Sequence, residues 1–163
     1  MDVWMRRGVV GLAVGMVLVA WSAAGLAQAK DPADGTWKLN LAKSKFSPGP
    51  APKEATATIE AAGPGRKIEV SGMAADGTAV KWGYSGNFDG KDVRVTGTNP
   101  DADIVVLKRI SPNATRTTYK KDGKRTLVSG LSVAADGKTM TVAQTGVNAK
   151  GQTVKNTMVF DKQ

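Results

Sequence analysis

From residue 36 onward apolar and polar residues alternate along the chain. In the stretch Thr36–Leu41, Trp37, Leu39 and Leu41 are separated by Lys38 and Asn40, the period of a strand with one dry face. The same period recurs down the chain. Ala55, Ala57 and Ile59 alternate with Thr56, Thr58 and Glu60, and Ile68 and Val70 point one way in Lys67–Met73. Val80, Trp82, Tyr84 and Phe88 share a face of Thr78–Phe88, and Lys91–Thr98 carries Val93 and Val95. The run Ile104-Val105-Val106-Leu107 is the most apolar and predicts a strand covered on both faces. Thr115, Thr117 and Tyr119 then align, followed by Leu127, Leu131 and Val133, by Met140 and Val142, and by Val154, Met158 and Phe160. No window has the three-and-four spacing of a helix, and glycine and β-branched residues are too frequent for one.

Turn chemistry separates these runs. Asp76-Gly77, Asp89-Gly90, Asp122-Gly123 and Asp136-Gly137 are hairpin signals, as is Lys150-Gly151, while Asn99-Pro100-Asp101 and Ser111-Pro112-Asn113 break the chain. About ten short strands at even intervals predict an antiparallel up-and-down meander. A sheet of that length curls and closes into a barrel, which removes its edges. Ser47-Pro48-Gly49-Pro50-Ala51-Pro52 is the longest loop, stiff and unable to join a ladder at its prolines. Ala74-Ala75-Asp76-Gly77 recurs as Ala134-Ala135-Asp136-Gly137, a repeat that similar hairpins reusing the same turn residues explain better than a duplicated half-barrel.

The N-terminus departs from this pattern. Arg6-Arg7, the apolar run from Gly8 to Ala20 and Ala27-Gln28-Ala29 have the basic, apolar, small-residue order of a secretory signal, so residues 1–29 are expected to be cleaved on the general secretory route. Residues 30–163 are then one domain, periplasmic or extracellular, with no membrane-spanning segment left after cleavage. Of 23 Lys and Arg and 14 Asp and Glu, the leader takes Arg6, Arg7 and Asp2, leaving 21 against 13 and a net charge of +8. Cysteine and histidine are absent, which removes disulfides, thiol nucleophiles, nitrogen and sulfur zinc ligands and the commonest general base. The sequence therefore predicts no catalytic residue, no metal site, no cofactor and a protein that is not an enzyme. Asn99, Asp101 and Asp103 alternate suggestively but lack the glycine and terminal glutamate of a calcium loop.

Gly35-x-Trp37 at the head of a meander resembles the calycin pattern of lipocalins and fatty-acid-binding proteins. The resemblance implies a lipocalin-like β-barrel of about eight to ten strands. It gives Gly35 and Trp37 a structural role, with Trp37 closing one end against a late basic side chain, for which Lys155 and Arg125 are candidates. It also places the Pro-rich loop where a lipocalin carries its lid. The string Gly-Thr-Trp-Lys-Leu-Asn, followed by Lys43-Ser44-Lys45-Phe46, is similar to the N-terminal signature of small secreted bacterial proteins.

Candidate function follows from the inward positions. Trp82, Tyr84 and Tyr119 are expected to line a cavity, with Arg116 near its rim. The polar residues Thr115, Thr117, Gln144 and Asn156, in phase with apolar neighbours, point to a partly wet interior. The expected ligand is small and apolar, or amphipathic and anionic. The alternative is a solid barrel that meets an anionic envelope component through a basic patch of Lys120, Lys121, Lys124 and Arg125. Nucleic acid is not an expected partner, since no aromatic-basic signature of a nucleic-acid module is present.

Overall fold

The computed structural model describes residues 30–163; the leader, 1–29, and its cleavage lie outside the described residues. Among the described residues, all the strands join one eleven-stranded antiparallel sheet. In chain order they are β1 (Gly35–Leu39), β2 (Glu54–Ala62), β3 (Gly65–Met73), β4 (Ala79–Asn87), β5 (Asp89–Arg94), β6 (Thr96–Gly97), β7 (Ile104–Ser111), β8 (Ala114–Lys121), β9 (Lys124–Val133), β10 (Thr139–Val147) and β11 (Thr153–Lys162). The spatial order is β5-β7-β8-β9-β10-β11-β1-β2-β3-β4-β6. The chain is thus an all-β, up-and-down meander whose last strand returns to its first, with Leu39 opposite Phe160 and Trp37 opposite Lys162.

The two edges meet through a single segment that changes partners. β5 pairs with β7 through Val93↔Val105 and Arg94↔Ile104, and β6 pairs with β4 through Trp82↔Gly97. Val95 between them donates its N–H to the Asp103 carbonyl, and Thr98 donates to that of Lys81. β4 and β5 form no ladder with each other. Val93 fills the space between them, lying so close over Gly86 that a Cβ there would collide with its methyl groups. The barrel is nearly closed, sealed at this seam by side chains rather than backbone pairs.

Alternation becomes burial as the period requires. Trp37, Ile59, Val105, Leu107, Val133 and Met140 are almost fully inaccessible, and Tyr84, Tyr119, Leu127 and Phe160 belong to the same core. The turn carboxylates act as turn formers: Asp76, Asp89 and Asp136 each accept the N–H two residues on, and Asp122 takes the left-handed φ of 50° ahead of Gly123. The repeated Ala-Ala-Asp-Gly turns have the same hydrogen bonding, yet one joins β3 to β4 and the other β9 to β10, at opposite ends of the barrel. That placement fits reused turn chemistry and not a duplicated half.

Two expectations are corrected. β7 is covered on its inner face only: Val105 and Leu107 are buried, Ile104 and Val106 half-buried, and Ile110 is 55% exposed. Strand one stops at Leu39, because the Asn40 side chain accepts the Lys43 N–H and turns Leu41–Lys43 into a single 3-10 turn with Leu41 exposed. The chain rejoins β11 beyond that turn. Lys45 and Thr157 exchange backbone bonds at 2.7 and 2.8 Å, and the Lys155 N–H reaches Ser47 O at 2.7 Å.

Candidate functional site

One end of the barrel is closed by Trp37 and the residues that cover it. The indole Nε1 donates to the Ala33 carbonyl at 2.7 Å, and Lys162 Nζ stands 5.0 Å from the ring centroid. Gly35 is required here, since its φ is 135° and a Cβ would press on the Lys162 side chain. The basic partner of Trp37 is therefore Lys162, in place of Lys155 or Arg125, because β11 pairs with β1 at its last residues.

Beside Trp37 lies a charged cluster that the sequence did not single out. Arg66 is 3% exposed; its Nη2 donates to both Asp31 oxygens at 3.1 and 3.2 Å and its Nη1 to Thr115 Oγ1 at 3.1 Å. Arg109 also reaches Asp31, and both guanidinium groups lie over Phe88, at 5.3 and 4.1 Å. Burial alone would raise the Asp31 carboxyl, but the Arg109 hydrogen bond, the Ala33 N–H and the Arg66 charge outweigh it and hold it below its ordinary value. Neighbouring Asp34 is pushed up, first by burial and then by the charge of Asp31. Arg66 is in phase with Ile68 and Val70, so strand period was the signal that marked it as inward.

Above this floor the barrel holds a cavity of about 340 Å³. Its wall is apolar, with Ile59, Ile68, Val70, Leu131, Met140, Val142, Met158 and Phe160 among the lining residues. Trp82, Tyr84 and Tyr119 all line it, brought together from β4 and β8. Trp82 stacks on Tyr84 with centroids 6.2 Å apart and planes at 29°, and meets Tyr119 edge-on at 6.4 Å and 77°. The inward hydroxyls pair, one set between β4 and β8 across the barrel and one between the neighbouring β8 and β9. Tyr84 Oη lies 3.5 Å from Thr117 Oγ1, and Ser129 Oγ donates to Tyr119 Oη at 3.3 Å. Burial pushes both phenols up, so they stay neutral.

The opposite end is the mouth, bordered by Pro52, Glu54, Met73, Val80, Asn99, Pro100, Asp101 and Gln144. Asn156 Nδ2 donates to Gln144 Oε1 at 3.1 Å, while Asn156 Oδ1 accepts the Ser47 N–H at 3.0 Å, anchoring the start of the Pro-rich loop. Within that loop Pro52 lines the cavity and Pro48–Ala51 are exposed. The alternating polar residues here hold backbone: Asn99 accepts the Asp101 N–H within its turn, while Asp101 accepts the Ala149 N–H and Asp103 the Asp122 N–H, tying this segment to the β10–β11 and β8–β9 hairpins.

Arg116 is corrected: it is exposed on the outer face of β8, between the buried Thr115 and Thr117, and does not line the cavity. Lys120 is held by Asp92 at 2.6 Å. Lys121, Lys124 and Arg125 surround the β8–β9 hairpin, and none of these four borders the cavity. Among the described residues, Glu54 and Asp101 border the mouth, but Glu54 is exposed and out of phase with the inward Ala55, and Asp101 Oδ1 accepts the Ala149 N–H.

No protein-family model matches the chain, and no curated protein matches it by sequence. Among solved structures it is similar to a zebrafish ileal bile-acid-binding protein complexed with cholic acid, at 10% identity and a TM-score of 0.49, over 81% of this chain and 99% of that one. It is also similar to the siderocalin Ex-FABP, described as functioning through dual ligand specificities, at 13% identity and a TM-score of 0.39, over 81% of this chain and 74% of that one. At such identities and scores neither likeness bears on ligand or activity.

Proposed function

We propose that the barrel is a non-enzymatic binding protein of the periplasm or extracellular space, holding one small, largely apolar or amphipathic molecule. The observation that carries this reading is the cavity. Its volume of about 340 Å³ lies within the range of small-molecule sites, and its wall is apolar with a few hydroxyl and amide groups. The basic, apolar, small-residue leader supports the setting. An anionic end, anticipated from the basic composition, finds no Lys or Arg on the cavity wall among the described residues; any such group would remain in water beyond the mouth. Native mass spectrometry of the protein purified from its own host tests the reading. The expected spectrum shows a bound small molecule, or uptake of one equivalent of the neutral probe N-phenyl-1-naphthylamine. A protein that is always ligand-free and takes up no probe contradicts it.

A second reading is favoured by the register of β7, β8 and β9. Lys108 stands opposite Arg116, Lys120 opposite Arg125 and Lys121 opposite Lys124. Like charges directly opposite one another destabilise a sheet, and an anionic surface would relieve them. On this reading the outer face of the barrel docks on an anionic envelope component. Charge reversal at Lys108, Arg116, Lys121 and Lys124 should abolish that association with the cavity intact. Lys120 is left alone because its partner is Asp92.

A further inference from the structure

Four hydroxyl groups stand together on the cavity wall. Thr117 and Tyr119 are in phase on β8, Ser129 lies opposite Thr117 in the β8–β9 register, and Tyr84 reaches Thr117 from β4. Directly opposed residues of this kind have Cβ atoms about 5 Å apart, so the two hydroxyl pairs form one patch. Each of the four residues is at most 8% exposed, and all four line the cavity.

Their hydrogen bonding is incomplete. Each pair makes one contact, at 3.5 Å for Tyr84 and Thr117 and 3.3 Å for Ser129 and Tyr119. Both are longer than the usual O–H···O range of about 2.5–3.0 Å. A hydroxyl carries one proton. Ser129 donates to Tyr119, so the phenol proton of Tyr119 has no acceptor among the described residues. In the other pair a single contact leaves one of two protons in the same condition. Buried donors without acceptors cost free energy until an acceptor meets them. The next polar groups toward the closed end are already engaged, since Arg66 donates to Thr115 and pairs with Asp31. Ile59, Leu131, Val142, Met158 and Phe160 make the facing wall apolar.

Resting on the ligand-binding reading above, we propose that Tyr84, Thr117, Tyr119 and Ser129 form a hydrogen-bond-donating subsite that selects an uncharged molecule carrying a carbonyl-type oxygen. The oxygen meets the hydroxyl patch inside the barrel, and the hydrocarbon part lies on the apolar wall. A hydrocarbon leaves the free protons unmet. A carboxylate also accepts them, but it leaves water for a wall with no Lys or Arg among the described residues, at a far larger desolvation cost than a neutral carbonyl.

The test is displacement of N-phenyl-1-naphthylamine from the purified protein by three competitors of one shape. These are 2-acetonaphthone, its hydrocarbon isostere 2-isopropenylnaphthalene, and 2-naphthoate. In the native protein the ketone should outcompete the carboxylate by at least about tenfold. The hydrocarbon controls for ring packing. The decisive variant combines Tyr84→Phe, Thr117→Val, Tyr119→Phe and Ser129→Ala, which removes both partners of each pair and is therefore expected to fold. It should bind the ketone roughly tenfold more weakly, the size of one net neutral hydrogen bond, and the hydrocarbon at least as tightly as the native protein does. Should that variant not fold, Tyr84→Phe with Thr117→Val carries the same comparison. A ketone-to-hydrocarbon affinity ratio that the substitutions leave unchanged overturns the proposal while the ligand-binding reading stands. So does 2-naphthoate equal to or better than the ketone, or a bound probe that none of the three displaces. Failure of the probe to bind the native protein instead overturns the reading on which the proposal rests.

Discussion

Asp31 and Arg66 form an ion pair across the closed end of the barrel, 35 residues apart in sequence, with Arg66 Nη2 within 3.2 Å of both carboxylate oxygens. Arg66 is 3% exposed, so its charge has little access to water and depends on this partner. Asp31→Ala should therefore destabilise the protein by about 3 kcal/mol, as breaking one side of a buried pair does. Adding Arg66→Met should recover much of the loss, because the buried charge goes with its partner. Urea unfolding of the three proteins reads both effects. If Asp31→Ala costs nothing, the N-terminal segment is not what closes this end.

The same pair sets an acid limit. Asp31 has a folded-state pKa held below its ordinary value of 3.8, so it contributes stability that is fully present above that value. The contribution is lost as pH falls through the lower folded value. The midpoint of urea unfolding should fall over that window in the native protein. In Asp31→Asn, which has no carboxylate to protonate, the curve should be flatter there.

Trp37 is completely buried and holds the closed end from both sides, through Ala33 and under Lys162. Trp37→Ala should cost on the order of 4 kcal/mol, enough to unfold many small domains. Trp37→Phe keeps an aromatic ring but loses the Nε1–Ala33 bond and part of the indole volume, and should cost about 2 kcal/mol. Thermal melting followed by circular dichroism separates the two. Equal effects would show that the hydrogen bond, and not the packing, is what matters.

The Pro-rich loop is expected to gate the mouth. It is tied to β11 through Ser47, its residues Pro48–Ala51 are exposed, and Pro52 lines the cavity. Deleting Gly49-Pro50 should leave the melting temperature within about 2 °C, since exposed loop residues carry little packing. Probe association and dissociation should both become faster, read by stopped-flow fluorescence. Unchanged rates would show that the loop is only a connection.

The barrel was legible because its determinants are local. Strand period, most of the Asp-Gly turns and the missing helical spacing depend on neighbours a few residues apart; Asp89-Gly90 is the exception, lying inside β5 with no hairpin to β4, and the expected strand Lys91–Thr98 divides into β5 and β6. The aromatic wall was legible for the same reason, since Trp82 and Tyr84 share phase on one strand and Tyr119 falls in phase with Thr115 and Thr117 on another. What escaped depends on distant partners or on competition. Asp31 sits in a polar lead-in with no period, and only the closed barrel brings it to Arg66. Leu41 has the right phase, but the Asn40 side chain turns the chain first. Arg116 was assigned to the rim although its own phase pointed outward. Lys162 as the partner of Trp37 required the pairing of the last strand with the first.

The central claim is that the cavity between Trp82, Tyr119 and the apolar wall is the binding site. Ala55 lines that cavity from β2 in phase with Ala57 and Ile59, and is half-buried. Titrating N-phenyl-1-naphthylamine into the native protein and into Ala55→Phe tests the claim most directly. The native protein should give a saturable fluorescence increase with one site, and Ala55→Phe should bind at least about tenfold more weakly, a loss of about 1.4 kcal/mol, with its circular dichroism unchanged. Saturable binding of equal strength in both proteins, or none in the native one, would contradict it.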